Sequence, residues 1–250
     1  MGVYRLEVNN TGTLRSGAIS IGALDANAIK VIAIIAMIVD HTAIWLVERG
    51  TTLDIVIHTF GRLAAPIMCY LIAEGFHYTS NLKKYKKRLF IFALISHFPF
   101  VLYFGLEWWQ GTSVIWSLLM GLVALGISKR DDIPLGLKGV LVCICCLLAY
   151  TADWNYIAVL WVMFFGIFRG NFRMQMTSYA TIGTVFYIIP GIVSMGFDSI
   201  FRFGILLVIP LLAIYNGERG KKSNLIKWGF YIFYPAHLLI LYLFRHIIFG

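Results

Sequence analysis

Charged residues are scarce in this sequence, and their scarcity excludes a soluble protein. Asp, Glu, Lys and Arg make up 13% of the 250 residues, whereas hydrophobic residues make up 60% and the mean hydropathy is +0.80. A typical soluble domain is about a quarter charged and about half apolar. A globule of this length cannot bury so much apolar surface, so the sequence predicts an integral membrane protein.

Cysteine is also rare, and the motifs of several enzyme classes are absent. The four cysteines lie in apolar segments without the spacing of a disulfide framework or a zinc site. The sequence contains no Gly-x-Ser-x-Gly elbow, no His-Glu-x-x-His pair and no P-loop. Nucleophilic hydrolysis and nucleotide hydrolysis therefore have no support, and we expect no metal or haem cofactor.

The positive charges that are present lie in the connections between apolar segments. Lys and Arg outnumber Asp and Glu by 21 to 12, but they are not interleaved with aromatic residues as in a surface that binds nucleic acid. Basic connections alternate along the chain with acidic or aromatic ones, as the positive-inside rule requires. This alternation predicts a cytoplasmic N-terminus and an outward-facing C-terminus, with no nucleic-acid partner.

The apolar segments predict an all-α fold. We interpret the chain as a polytopic transmembrane helical bundle of about nine or ten membrane helices in a single domain, residues 1–250, in which residues 1–24 form a polar N-terminal segment. That segment lacks the apolar core of a cleavable signal peptide. A membrane helix needs about 17–25 residues. The candidate spans are residues 27–48, 54–78, 85–105, 113–128, 133–150, 154–169, 175–193, 199–215 and 226–249.

The first candidate span contains Asp40 and His41 side by side. A charged side chain near the centre of a membrane helix costs roughly 2.5–3.5 kcal/mol on insertion scales, and such residues are functional candidates by default. A carboxylate beside an imidazole is the usual setting of a general base, because the acid fixes the tautomer of the ring and stabilises the imidazolium. Adjacent side chains on a helix rarely bond to each other, so Asp40 either orients His41 indirectly or pairs with Arg62.

The other intramembrane polar residues are concentrated in the second, third and last spans. His58 and Arg62 are four residues apart and share a helix face. Arg62 needs an anionic partner, and Asp40 is more plausible than Glu74, which is about 18 Å away along the helix axis. We interpret His58 as a packing residue, and we expect His41, Arg62 and His97 to lie at similar depth. Lys30, Glu74 and the run from Lys83 to Arg88 would form a second polar zone at the cytoplasmic mouth.

Three functions are compatible with these residues. The first is base-assisted group transfer from an activated donor. The second is a membrane transporter or proton relay that uses the same polar cluster. The third is a haem or quinone protein with histidines on facing helices as ligands.

Several motifs resemble the TraX family, and they occur in the family's order at both ends of the chain. They are Lys30 to His41, Gly61-Arg62-Leu-Ala-Ala-Pro66, Glu74-Gly75, Thr79-Ser-Asn81, Tyr85-Lys-Lys-Arg88-Leu, Ser96-His97-Phe-Pro99 and Phe233-Tyr234-Pro235-Ala-His237-Leu238. The family is distantly similar to the membrane acyltransferase-3 proteins. The chain departs from those proteins in their arginine motif, since Arg62 has no second arginine three residues on.

The resemblance implies an acetyl-CoA-dependent N- or O-acyltransferase of the bacterial cytoplasmic membrane, in contact with membrane lipids. The founding TraX protein acetylates the amino terminus of a conjugative pilin, so the implied acceptor is a peptide N-terminus, a sugar or a small amine. His41 would be the general base or a transient acyl carrier, with Asp40 tuning it, and Arg62 would hold an anionic donor group or pair with Asp40. Further implied donor and pocket residues are Lys30, Glu74, Lys83, Lys84, Lys86, Lys87, Arg88, Ser96, His97, Tyr234 and His237.

Overall fold

The computed structural model describes residues 22–221 and 223–249, together with the backbone of residues 7–8 and 14–15. Most of the polar N-terminal segment therefore lies outside the described residues. Helices dominate the described part, and a two-residue antiparallel pair, β1 (Glu7–Val8) with β2 (Leu14–Arg15), precedes them. The helices are α1 (Ala26–Leu46), α2 (Thr52–Gly61), α3 (Ala64–Tyr78), α4 (Leu82–Phe104), α5 (Val114–Ser128), α6 (Leu135–Leu148), α7 (Asn155–Ile167), α8 (Phe172–Gly183), α9 (Ile189–Met195), α10 (Val208–Ala213) and α11 (Asn224–Phe249).

The prediction of nine or ten membrane helices is not supported. Within the described residues, five helical stretches are long and apolar enough to cross a membrane: Ala26–Leu46, Thr52–Tyr78, Leu82–Phe104, Phe172–Ala213 and Trp228–Ile248. Helices α5, α6 and α7 are apolar but have only 15, 14 and 13 residues. At 1.5 Å per residue these helices are ~20 Å long, which is shorter than the ~30 Å hydrocarbon core. Apolar composition alone did not reveal how much of each segment is helical.

The stretch from residue 172 to residue 213 contains the two predicted spans 175–193 and 199–215 and is not a straight rod. A π-helical turn, Thr184–Ile188, joins α8 to α9, and a 3₁₀ segment, Gly196–Leu207, leads into α10. Arg202 Nη1 donates to the carbonyl of Tyr187 at 2.9 Å, whereas residues 15 apart on a straight helix are ~22 Å apart. The chain therefore turns back near Gly196, whose φ of +58° suits a residue without a Cβ.

The second span is interrupted where α2 ends and α3 begins, at Arg62 and Leu63. Pro66 has no amide hydrogen, so the carbonyl of Arg62 has no donor four residues further on. A proline is tolerated in the first turn of a helix, where the amides lack partners anyway. Thus α3 starts at Ala64, and Arg62 lies at a helix end rather than on a continuous helix face.

The core of the bundle lies between α5 and α7, which also pack against α3. Trp161 of α7 is fully buried and donates from Nε1 to the carbonyl of Tyr179 at 3.2 Å. Outward faces are apolar instead of polar, as on α4, where Phe90, Leu94 and Phe98 are exposed. Apolar surface of this extent is that of a membrane protein, in which lipid tails cover it.

Candidate functional site

A cavity of about 260 Å³ lies beside the helix break at Arg62. We call it the polar cavity, because two carboxylates, a guanidinium and an imidazole reach its wall. It is enclosed by α1, the end of α2, α3, α4, α5 and α11, and by the connection between α6 and α7. Its lining residues are Met37, Asp40, His41, Ile44, Gly61, Arg62, Ala64, Ala65, Met68, Phe104, Val114, Asp153, Trp154 and Tyr234.

Asp40 and Arg62 form an ion pair at this cavity, in which one guanidinium nitrogen contacts both carboxylate oxygens. Arg62 Nη2 lies 2.8 Å from Oδ1 and 2.7 Å from Oδ2 of Asp40. Arg62 Nη1 donates to the hydroxyl of Tyr187 at 3.1 Å, and Nε donates to the carbonyl of His58 at 3.2 Å. The predicted pairing of Arg62 with Asp40 is confirmed. A buried guanidinium needs this many acceptors, because an unpaired charge is costly away from water.

His58 belongs to the same network, and its interpretation as a packing residue is wrong. Its Nδ1 lies 2.7 Å from Asp40 Oδ1, and its Nε2 lies 3.1 Å from Asp54 Oδ1. Both ring nitrogens of His58 therefore face carboxylate oxygens, which only accept hydrogen bonds. Asp54, His58 and Arg62 are spaced four residues apart, and this spacing was the available sequence signal.

Gly61 makes room for this ion pair. A Cβ at residue 61 would lie 2.1 Å from Oδ1 of Asp40. A side chain there would therefore displace the carboxylate, and the Gly61-Arg62 sequence is a steric requirement of the network.

His41 bonds to another histidine and not to Asp40. Its Nδ1 lies 2.9 Å from Nε2 of His237, and the two rings stack at 15°. His237 Nδ1 lies 3.0 Å from the carbonyl of Phe233, which can only accept, so this nitrogen carries a hydrogen. With both rings neutral, His237 Nε2 accepts from His41 Nδ1. The lone pair of His41 is then on Nε2, and the tautomer of His41 is fixed by His237.

The backbone around His41 is held by α4. Tyr103 donates its hydroxyl hydrogen to the His41 carbonyl at 2.6 Å, and Trp45 Nε1 donates to the same hydroxyl at 2.7 Å. Both His41 and Tyr103 are buried. This chain of bonds fixes the depth of the imidazole relative to the third predicted span.

Asp153 is a second carboxylate of the polar cavity, and it lies outside the helices, in the connection between α6 and α7. Its amide donates to the carbonyl of Thr112 at 2.9 Å, and Ser117 donates to its carbonyl at 2.9 Å. Burial raises the pKa of Asp153 to about 6, against the opposing charge of Arg62. In the sequence, Asp153 is an acidic residue between two apolar segments. Its spacing from other polar residues gave no indication that it lines the cavity.

A larger cavity of about 660 Å³ lies between α1, α3, α4 and α11. We call it the cationic cavity, because Lys30, Arg88, Arg219 and Lys221 line it. Met68 lines both the polar and the cationic cavity. Lys30 and Arg88 were expected in a polar zone of this kind. Arg219 and Lys221 were not, since they come from the connection before α11.

The remaining predicted site residues lie in several places. Tyr234 lines the polar cavity, but Ser96 and His97 line neither cavity; His97 Nδ1 lies 3.3 Å from the Thr112 hydroxyl. Of the three residues expected at similar depth, His41 and Arg62 thus line the same cavity and His97 does not. Glu74 pairs with Arg169 of the α7 end at 2.8 Å. The exposed lysines of the basic run, which also line neither cavity, are Lys83, Lys84 and Lys87.

Comparisons with known proteins find matches that cover most of the chain. A family model described as TraX protein matches residues 25–245. The probable fimbrial assembly protein FimC, serogroup H1, of Dichelobacter nodosus is 30% identical over 233 residues, which cover 85% of this chain and 92% of that protein. No solved structure matches the chain.

Proposed function

The chain belongs to the TraX family, and on that premise we propose that it is an integral-membrane acetyltransferase. It transfers an acetyl group from acetyl-CoA to an amine or hydroxyl acceptor. The observation that carries the proposal is the His41 imidazole, which His237 holds in one tautomer at the wall of the polar cavity.

The proposed chemistry is base-assisted attack on a thioester. The acceptor nitrogen or oxygen bonds to the acetyl carbonyl carbon while His41 Nε2 takes its proton, and the carbon–sulfur bond then breaks. The imidazolium returns this proton to the leaving thiolate, so that coenzyme A leaves as the thiol. General-base assistance of this kind typically contributes about 10²–10⁴-fold to a rate.

The Asp40–Arg62 pair has a positioning role in this proposal. Both contacts of Arg62 Nη2 are with the carboxylate of Asp40. Asp40 also contacts His58, but not His41. The pair holds the start of α3 against α1. It also places a carboxylate and a guanidinium at the wall of the polar cavity. Asp40 makes no hydrogen bond to His41, so in this proposal its effect on the imidazole is electrostatic.

The proposed orientation follows the basic connections. With the N-terminus in the cytoplasm of a bacterial cell, the exposed Lys83, Lys84 and Lys87 face the cytosol and attract the anionic donor. Such attraction between exposed charges acts over about 8–10 Å at cellular ionic strength. The cytoplasmic membrane is the bilayer that has acetyl-CoA on that side.

The acceptor in this proposal is the amino terminus of a pilin-like peptide. The Dichelobacter nodosus relative is named as a probable fimbrial assembly protein, and a fimbria is built from such subunits. A neutral α-amino group is the nucleophile that a general base at His41 suits, because the attacking nitrogen must lose a proton during transfer.

An assay with purified protein tests the proposal. We expect the wild type in lipid nanodiscs to move labelled acetyl from acetyl-CoA to a pilin amino-terminal peptide, and His41→Ala to lose at least about 100-fold in kcat. His246→Ala is the matched control, because His246 is exposed and lines neither the polar nor the cationic cavity.

Two results would contradict the proposal. The first is a His41→Ala protein that transfers acetyl as fast as the wild type. The second is proton or substrate flux into liposomes that needs His41 and no acetyl-CoA, which would favour the proton-relay function instead.

A further inference from the structure

We infer that the cationic cavity binds the phosphorylated nucleotide part of acetyl-CoA, and that the pantetheine arm passes Met68 to reach His41. The inference rests on the proposed acetyltransferase function and assigns the donor site within it. Four cations, a set of aromatic faces, the position of Met68 and the distance between the two cavities carry it.

The cations of this cavity are supported by aromatic rings instead of carboxylates. Lys30 Nζ lies 5.0 Å from the Phe230 ring centre, the Arg88 guanidinium 5.6 Å from Tyr85, and the Arg219 guanidinium 4.4 Å from Tyr78. None of the ion pairs between described residues includes these cations or Lys221. Positive charge in the cavity is therefore available to an anionic ligand.

Two further details support an anionic ligand. Arg88 lines the cavity, and its Nε is buried and has no hydrogen-bond partner among the described residues. The charge of Asp25 acts on Lys30, but Oδ1 of Asp25 already accepts from the Ala28 amide at 2.8 Å as the cap of α1. Guanidinium and ammonium groups of this kind bind phosphate oxygens strongly.

Among anionic ligands, the aromatic residues of the cavity favour a nucleotide. Tyr78, Tyr85, Phe230 and Tyr231 line the same cavity as the cations. Aromatic side chains stack on nucleobases, and the combination of stacking rings and cations is how proteins hold nucleotides without reading a sequence. A volume of about 660 Å³ lies within the usual range for small-molecule sites.

The distance along α1 between Lys30 and His41 matches the length of the pantetheine arm. Lys30 and His41 both lie on α1, and eleven residues of helix span ~16 Å. A pantetheine arm is about as long as five extended peptide residues, ~17 Å. With its phosphates beside Lys30, acetyl-CoA would bring its thioester to His41. Among the residues that the structure describes, Met68 alone lines both cavities, and so the arm would pass it.

Binding measurements on the protein in phosphatidylcholine nanodiscs test the nucleotide site. The probes are coenzyme A and adenosine 3′,5′-diphosphate. We expect Lys30→Met and Arg219→Gln each to weaken both probes about tenfold. The charge-matched control is Arg173→Met, which removes an exposed cation outside both cavities and should leave both affinities unchanged.

A lipid headgroup is the other source of phosphate near a membrane protein. The expected result is that saturating coenzyme A displaces phosphatidylglycerol retained by the purified protein, as measured by native mass spectrometry. If phosphatidylglycerol stays bound and neither probe competes with it, the cavity is a lipid site and the inference is wrong.

Substitution of Met68 tests the passage of the arm. We expect Met68→Trp to bind adenosine 3′,5′-diphosphate as the wild type does but to lose acetyl transfer at least tenfold. The control Met174→Trp places the same side chain at an exposed residue outside both cavities and should keep both properties. Full transfer by Met68→Trp would overturn the path.

The outcomes separate this inference from the proposed function. If the wild type transfers acetyl while Lys30→Met and Arg219→Gln keep its KM for acetyl-CoA, the donor binds elsewhere and only the inference fails. If the wild type binds adenosine 3′,5′-diphosphate through Lys30 and Arg219 but transfers no acetyl, the cavity is a nucleotide site and the acetyltransferase proposal fails.

Discussion

At the scale of single residues, the charges of the site are decided by contacts across helices. Asp40 is adjacent to His41 in the chain, yet its carboxylate binds Arg62 and His58 of the second span. His41 in turn bonds to His237, 196 residues away. Neighbours on a helix point about 100° apart, so partners come from facing helices. The orienting partner of His41 is therefore His237, and Asp40 is part of a separate ion-pair network.

Asp153 should make the stability of the protein depend on pH. Its folded-state pKa of about 6 exceeds the ordinary value of 3.8, so the neutral carboxyl stabilises the fold below pH 3.8. This contribution is lost as the pH rises through about 6. A rise of about two pH units corresponds to roughly 3 kcal/mol. Asp153→Asn, which stays neutral, should therefore melt at a higher temperature than the wild type at pH 8 and at a similar one near pH 4.

Thermal unfolding in detergent between pH 4 and pH 8 measures this difference. Asp132→Asn is the control, because Asp132 is exposed and pairs with Arg130 outside the cavity. Parallel melting curves for Asp153→Asn and the wild type at every pH would show that Asp153 is not buried as a neutral acid.

At the scale of elements, the interruption between α2 and α3 matters most. Arg62 lies at the end of α2, and its guanidinium lies 5.4 Å from the centre of the Phe201 ring and 5.7 Å from that of Trp154. The 3₁₀ segment that carries Phe201 packs on α2, where Gly204 lies directly against the Thr59 backbone. The α2–α3 interruption and the 3₁₀ segment that follows the turn at Gly196 thus both contact the guanidinium of Arg62.

Pro66→Ala should straighten the second span. Alanine supplies an amide hydrogen to the carbonyl of Arg62, and a proline in a helix interior costs about 3 kcal/mol, so a continuous helix becomes favourable. The guanidinium would then turn away from Asp40. A displacement of about 1 Å in a catalytic arrangement can cost about 100-fold, so we expect a fall in kcat of up to that size. We also expect a lower melting temperature, because separating Arg62 from Asp40 leaves both charges without their partner away from water.

Acetyl transfer and melting temperature, measured together, check this expectation. Pro134→Ala is the matched control, since Pro134 is exposed and precedes α6. Unchanged kcat in Pro66→Ala would mean that the proline does not set the position of Arg62.

At the scale of the whole molecule, small residues let the central helices approach closely. A Cβ at Gly121 of α5 would lie 2.7 Å from Cβ of Val162 on α7, and one at Gly166 of α7 would lie 2.3 Å from a methyl carbon of Leu125. Helices in membranes associate through such close backbone packing, because lipid provides no hydrophobic driving force between them. The α5–α7 pair is thus the frame against which α3 and its Arg62 end are positioned.

Gly121→Leu should destabilise this frame. Extra atoms in a well-packed core cost about 1–3 kcal/mol, and Val162 is buried and has no room to move. Gly139→Leu on α6 is the control, because a Cβ there meets nothing within 4 Å. We expect a lower melting temperature for the first variant only. Equal melting temperatures for the two variants would contradict the close packing of α5 on α7.

Composition and local pattern determined the membrane class, the helical structure and most of the helix positions. They also identified Asp40, His41 and Arg62 as candidate site residues, because polar groups within apolar sequence are costly. The antiparallel arrangement of neighbouring spans favoured Asp40 as the partner of Arg62. The single-domain organisation and the catalytic roles of these residues stay predictions. Length of apolar sequence overstated the number of membrane helices, since α5, α6 and α7 are shorter than their apolar segments suggested.

Only the tertiary structure decided which groups share a cavity. The pairing of His41 with His237, the place of Asp153 beside Arg62, and the addition of Arg219 and Lys221 to Lys30 and Arg88 join residues from distant parts of the chain. A helical period gives the face on which a side chain lies, but not the rotation and register of one helix against another. Those are set by packing contacts between helices, such as that of the Gly121 backbone on the Val162 side chain, which no local pattern records.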